Sequence, residues 1–264
     1  MSFKERDGLR YFQFETLRDL GVVQAIFTRR GGVSPAPWNT LNLGGTVGDE
    51  VACVVENRRR CFAAVDRKVE SLFDVWQVHS ANVICTVSPR PLQSAHQKAD
   101  AILTDRPEIT LFMRFADCVP IFLFDPKRRA VGLVHAGWVG TVNQIARAAV
   151  NAMRARYGSH PEDIYAGIGP SICASHYPVG EDVAEQVRQV FGADVAQILW
   201  QGKSQSHLDL WEANRLILVS AGIRKIEVSE VCTAEHPEDW YSHRGEQGKT
   251  GRFGAIIALG NGSK

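Results

Sequence analysis

Apolar residues in this chain recur with two different periods. Short runs rich in Val, Ile and Phe, bounded by turn residues, lie at QAIFTR, VWQVH, NVICTV, ADAILT, CVPIFLF, AVGLVHA, IYAGIG, KIEVSEV and GAIIAL. They predict strands. Helical spacing marks four other segments, 48–65, 141–158, 181–192 and 208–222. The clearest is TVNQIARAAVNAMRARYG. It aligns Val142, Ile145, Ala149 and Met153 in one stripe, sets Arg154 and Arg156 near its end and offers Gly158 as a cap. Strands and helices alternate, yet several strands are joined by turns too short for a helical crossover. The pattern predicts an α/β chain, a mixed sheet with helices on its faces. No repeat, low-complexity tract or linker interrupts it, so residues 1–264 read as one domain.

One stretch stands out as an ordered loop. RRGGVSPAPWNTLNLGG, from Arg29 to Gly45, carries four glycines and two prolines, which punctuate regular structure. Its Trp, Leu and Val content is too high for a solvated tether, so it should lie over something.

The segment FADCVPIFLFDPKRRAVGLVHAGW, 115–138, holds the most chemistry. Two apolar strands flank Asp125-Pro126-Lys127-Arg128, and Asp then Pro opens a type I turn. If Asp125 and Arg128 close that turn, cross-strand partners have numbers summing to 253 and Cys118 faces His135. Opposed residues share a face, with Cβ atoms about 4.5–5.5 Å apart. A one-residue slip would separate them.

A thiolate beside an imidazole has two uses. One is nucleophilic attack, with the imidazole taking the thiol proton. The other is metal binding, which needs at least one more ligand. His79, read as ending the strand VWQVH before a Ser-Ala-Asn turn, is the best candidate. Three protein ligands with an open fourth position is the catalytic zinc pattern. Copper would also bind such donors on affinity grounds. A third reading leaves His79 and His135 as satisfied core histidines and Cys118 as strand filling.

Composition narrows the field. Lys and Arg number 30 against 29 Asp and Glu, a net charge of +1, so no strong field steers nucleic acid or an acidic membrane. Hydrophobic content of 45% is ordinary for a globular chain of this size, which can bury a core without staples. No apolar run approaches 18 residues and MSFKERDGLRYF lacks the apolar stretch of a secretory signal, so a cytoplasmic location is the expectation. In that setting the remaining cysteines, Cys53, Cys61, Cys85, Cys173 and Cys232, read as reduced, small, buried hydrophobes.

Other polar positions add possible anion contacts. Asp117 should point away from Cys118 and bond to the backbone of the Gly-rich loop. Gly137 and Gly140 would let amides at a helix start approach an anion. Arg29, Arg30 and Arg58 could supply positive charge near a phosphate, with Arg30, Arg59 and Arg60 more at home on the surface. WYSHRGEQGKTGRFGA, 240–255, joins Ser242, His243, Arg244, Lys249 and Arg252 with four glycines and reads as a binding loop. His96, His160, His176, His207 and His236 lie in polar surroundings and read as surface residues.

At these residues the chain resembles a widespread bacterial family. Its members were first called laccase-domain or multicopper polyphenol oxidase proteins and later described as purine nucleoside phosphorylases with adenosine deaminase activity. The likeness runs from about Gln24 to Leu259 and rests on FTRRGGVS, NTLNLG, ENR, WQVHSANV, ADAILT, ADCVPIFLFDP, VGLVHAGW, GIGPSICASHYPVG, LDLWEANR and YSHRGEQGKTGR, in that order. The resemblance implies a three-layer α/β/α sandwich similar to the catalytic domain of cytotoxic necrotising toxins. It places zinc on His79, Cys118 and His135, and it puts Asn42, Arg29 and Arg58 around the same pocket. Two departures bear on phosphate. Val139 stands where the family usually has arginine, and Gly245 follows Arg244 where a second arginine is usual.

The leading expectation is a purine nucleoside enzyme taking a nucleoside and phosphate. His79, Cys118, His135, Asn42 and Arg58 would be catalytic, and Arg29, Asn42, Arg58, His243 and Arg244 would bind substrate. Phosphorolysis needs an anion beneath a cationic sugar and a proton for the leaving base. Deamination needs water activated at zinc. Copper-dependent phenol oxidation, hydrolysis of a cell-wall precursor and a metal-binding scaffold are the other readings. Against the first, a multicopper oxidase needs many His-x-His pairs, and eight histidines here form none.

Overall fold

The computed structural model describes residues 2–202 and 205–260, so both ends of the 1–264 span lie outside the described residues. Two six-stranded sheets form the framework. The first runs Ser2–Arg6, Leu9–Gln13, Val22–Phe27, Phe253–Leu259, Thr110–Phe115, Leu72–Phe73, antiparallel except at its last pair. The second runs Lys225–Val228, Tyr165–Ile168, Val119–Asp125, Ala130–Ala136, Ala101–Thr104, Val83–Cys85, with parallel pairs at its two edges. Pro178–Val179, Leu199–Gln201 and Ser206–Leu208 make a small third sheet.

Period-two alternation explains the packing. In Val119–Asp125, residues Ile121 and Leu123 join a core beneath helices Ile145–Tyr157 and Leu210–Ser220. Phe122 and Phe124, on the other face, meet Ile26, Met113 and Ile257 of the first sheet. Helix Val51–Ala64 covers that sheet's far side through Cys61 and Phe62. The mixed α/β class holds, but one central sheet does not. The layers are helix, sheet, sheet, helices, in place of the three-layer α/β/α sandwich expected. The single-sheet expectation failed because apolar runs report burial and not which face buries against which sheet. Strands at Ser2–Arg6, Leu9–Gln13 and Thr110–Phe115 also escaped it, the last because Arg114 breaks its apolar run.

Two differences concern local elements. The segment 141–158 is two helices, Trp138–Val142 and Ile145–Tyr157, broken where Gln144 takes a left-handed φ of 56°. The hairpin turn is also longer. Asp125 Oδ1 accepts from Lys127 N and Arg128 N at 2.8 and 3.0 Å, as its turn chemistry requires. Arg129 then adopts φ 49°, so Asp125 pairs with Ala130 and Pro120 with His135. Cys118 is therefore not directly opposite His135. The slip is two residues, an even number, and in a pleat an even slip preserves the face.

Candidate metal and anion pocket

His135 sits on its strand's inter-sheet face, its ring centroid 5.4 Å from that of Phe115. Its Nδ1 lies 2.9 Å from Asp100 Oδ1. A carboxylate here is an acceptor, so the ring proton belongs on Nδ1 and Nε2 is left as a ligand. Burial pushes the Asp100 carboxyl up, but the bonds from His135 and Ser80 outweigh it and bring its pKa to about 2.

His79 does not end a strand. It lies in a loop with φ 58°, and the same Asp100 shapes that loop. Asp100 accepts from the backbone N–H groups of Val78, His79 and Ser80 at 3.2, 3.0 and 2.6 Å, and from Ser80 Oγ at 2.8 Å. Three successive amides aimed at one carboxylate hold a curled backbone that a strand could not supply.

Cys118 lies between strands, after Asp117, whose φ is 80°. The Asp117 carboxylate accepts from Thr233 Oγ1 at 2.7 Å and from Arg244 N at 2.6 Å. It thus bonds to the backbone of the C-terminal loop and aims the next residue inward. Cys118 Sγ lies 3.8 Å from His79 Nε2, and the donor atoms of His79, Cys118 and His135 all lie within 4.8 Å of one another. A tetrahedral zinc with sulfur at about 2.3 Å and nitrogen at about 2.0–2.1 Å sets its S and N ligands about 3.6 Å apart, so the donors fit. Gly137 keeps the space open. A Cβ there would stand 2.9 Å from Cys118 Sγ and 3.0 Å from His79 Cδ2.

The cluster opens into a cavity of about 630 Å³. That volume lies within the range of small-molecule sites. His243 and Arg244 line it, as does Val139. So do Arg114 and Arg252, which bring positive charge. The sequence reads Arg252 only as part of the binding loop and gives Arg114 no role, although a lone charge in TLFMRF is a signal. Burial lowers both guanidinium pKa values, Arg114 to about 10, with Asp74 nearby supporting the charged form of Arg114. Among the described residues neither Arg244 nor Arg252 has an ion-pair partner, and Arg114 has Asp74 at 3.7 Å. The helix after Gly137 is five residues long, so its dipole offers an anion little.

Three expected pocket residues lie elsewhere. Arg29 bonds to Asn39 O, Pro237 O and Glu246 Oε1, and its guanidinium sits 4.3 Å from the Tyr241 ring centroid. Arg58 donates to Leu43 O at 2.9 and 3.2 Å. Asn42 is fully buried. Its Oδ1 accepts from Gly44 N at 3.0 Å and Arg252 N at 2.9 Å. These side chains brace the loop that carries Gly44 and Gly45 into the pocket wall. The long turn-rich loop does lie over something, and its polar residues are consumed in holding it there.

Residues 23–260 match the family described as multi-copper polyphenol oxidoreductase laccase, and the chain belongs to that family. It is 40% identical over 247 residues, 90% of this chain and 88% of the other, to a protein of Bacillus subtilis named purine nucleoside phosphorylase YlmD. A purine nucleoside phosphorylase of Deinococcus radiodurans is 39% identical, with 91% and 90% covered. The crystal structure of YlmD from Geobacillus stearothermophilus superposes with a TM-score of 0.91 at 34% identity, covering 98% of this chain and 99% of that one. Among the described residues no helix is long and apolar enough to cross a membrane.

Proposed function

We propose that this chain is a purine nucleoside phosphorylase that also deaminates adenosine, and that His79, Cys118 and His135 hold a zinc ion in its active site. One observation carries the reading: the three-donor cluster and three arginines, Arg114, Arg244 and Arg252, share one cavity. The names of the relatives support phosphorylase activity. Two imidazoles and one thiolate suit zinc, with copper as a competitor.

The arginines hold phosphate against the ribose, where guanidinium forks match its oxygens. A phosphate oxygen bonds to C1′, the glycosidic C–N bond breaks, and the base leaves with a proton. Trp76, 48% exposed at the rim, and Trp138 give the base apolar walls. His243, at the same rim, can hand the base its proton. Asn42 is a positioning residue, acting through the Arg252 backbone, and Arg58 does the same through Leu43. Bound zinc supplies Lewis acidity, which deamination needs for its water.

The arginines also answer the loss at Val139 and Gly245. Three arginines still line the cavity that phosphate would enter. Phenol oxidation, the activity in the family's description, is less well supported, because the eight histidines form no His-x-His pair.

Adenosine and inosine supplied with and without phosphate test the reading. Free base formed only with phosphate is the expected result, and inosine from adenosine marks deamination. Failure to turn over any purine nucleoside overturns it.

A further inference from the structure

The sequence reads Cys173 and Cys232 as buried hydrophobes and His176 as a surface residue, and it singles out nothing at Glu235. The ligand atoms of these four residues instead all lie within 4.8 Å of one another. Cys173 follows the strand Tyr165–Ile168, and His176 ends the short turn Ala174–His176. Cys232 and Glu235 follow the parallel neighbour Lys225–Val228. The pair of strands delivers both loops to the same end of the sheet, and a bridge from Ser171 to Cys232 aligns them.

The distances are those of ligands about a common centre. Cys173 Sγ lies 3.4 Å from His176 Nδ1 and 3.6 Å from Glu235 Oε1. His176 Nδ1 is 3.9 Å from Cys232 Sγ and 3.2 Å from Glu235 Oε1. Tetrahedral zinc with ordinary bond lengths sets S–N and S–O edges at about 3.6 Å and the N–O edge at about 3.4 Å.

Hydrogen bonding alone does not account for the arrangement. His176 Nδ1 faces both sulfurs, the carboxylate and Ser175 Oγ, the last at 3.2 Å. One ring nitrogen offers one proton or one lone pair, so it cannot serve four partners. A cation at the centre serves all four ligands at once. The backbone also fixes one sulfur: Cys173 N donates to Cys232 Sγ at 3.3 Å. The sulfurs are buried, while His176 and Glu235 keep 44% and 45% of their side chains exposed. Metal can therefore enter from solvent, and four protein ligands close the site in the structural pattern.

We propose that Cys173, His176, Cys232 and Glu235 form a second, closed zinc site that clips the two loops together. The clip lies behind the pocket. Ile172 N donates to Asp117 O at 3.0 Å, and Thr233 Oγ1 to the Asp117 carboxylate. Tyr177, just after His176, lines the cavity. The proposal stands on these four residues, and only the expected total of two equivalents also rests on zinc at His79, Cys118 and His135.

Zinc per chain decides it, measured by mass spectrometry on full-length protein purified reduced and without added metal, then titrated with zinc. Wild type should hold two equivalents, Cys118→Ala one and Cys232→Ser one. Since Cys232 is buried and its substitution can disturb folding, His176→Ala and Glu235→Gln give the same test at exposed positions. Each should weaken one equivalent by about 10-fold or more and leave the other unchanged. With cobalt(II), a thiolate charge-transfer band should persist in Cys118→Ala and vanish in Cys118→Ala/Cys173→Ser/Cys232→Ser, which leaves no thiolate in either cluster. Wild type with a single equivalent that Cys118→Ala abolishes would overturn the proposal. So would a second equivalent indifferent to all three variants of the cluster.

Discussion

His135 Nδ1 and Asp100 Oδ1 stand 2.9 Å apart, and the same carboxylate gathers three backbone amides of the loop bearing His79. One buried acid thus sets the tautomer of one candidate ligand and the position of another. Asp100→Asn keeps the volume but replaces half of the acceptor with a donor. Metal affinity should fall about 10–100-fold, as for other outer-shell partners. Competition with a chelator measures it, and an unchanged affinity would remove Asp100 from the account.

Cys118→Ala should lose the metal held by His79, Cys118 and His135, together with activity, and keep the fold. Cys118 packs only at the margin of the inter-sheet core. Circular dichroism beside metal content separates the two effects. Full metal and full rate in this variant would show the site assignment to be wrong.

Gly137→Ala tests the space between ligands. Its φ of −78° suits alanine, so backbone strain is not at issue. The new methyl would press on Cys118 Sγ and the His79 ring. Metal affinity should fall at least about 10-fold, with stability lowered by about 1–3 kcal/mol through overpacking. A fully loaded variant would show that the donors do not need to converge there.

Arginines at the pocket should govern phosphate more than nucleoside. A hydrogen bond to a charged group contributes about 1.5–3 kcal/mol, so Arg252→Gln should raise the KM for phosphate about 10–100-fold. Val139→Arg adds a cation to the pocket wall. It should lower that KM. Equal effects on nucleoside and phosphate would argue that these residues support the fold and do not touch the anion.

Asp74 anchors Arg114. It is fully buried, with Arg90 Nε at 2.6 Å and Arg114 at 3.7 Å. Burial pushes its carboxyl up, but the arginines more than offset this and hold its pKa below the usual 3.8. A depressed carboxylate contributes stability that is present above its ordinary pKa and lost as pH falls through the folded value. Asp74→Asn should therefore cost about 3–5 kcal/mol near neutrality by stranding buried guanidinium groups. The difference from wild type should shrink as pH falls below about 4. Thermal melts across that range check both the size and the sign.

Much of the fold was legible because strand runs and helical stripes are local. Ala130–Ala136 has the bounds its apolar run suggested, and Glu181–Phe191 nearly fills its predicted segment. Cys118 and His135 share a face even though their register was misjudged, because parity survives a slip of two. What stayed hidden was relational. Nothing around Asp100 in ADAILT shows that it turns back to a loop twenty residues earlier. Likewise, Cys173 and Cys232 look like ordinary core cysteines until two parallel strands bring their loops together.

Which residues can bind a metal follows from the chain's own chemistry, since thiols, imidazoles and carboxylates offer the donors, and so does the strand pleat that puts two of them on one side. Tertiary structure alone decided which of those donors meet. It turned Arg58, Arg29 and Asn42 into braces and brought Arg114 and Arg252 to the cavity. The physical reason is that spacing along a chain sets local direction, whereas convergence depends on how two sheets stack and where their loops close.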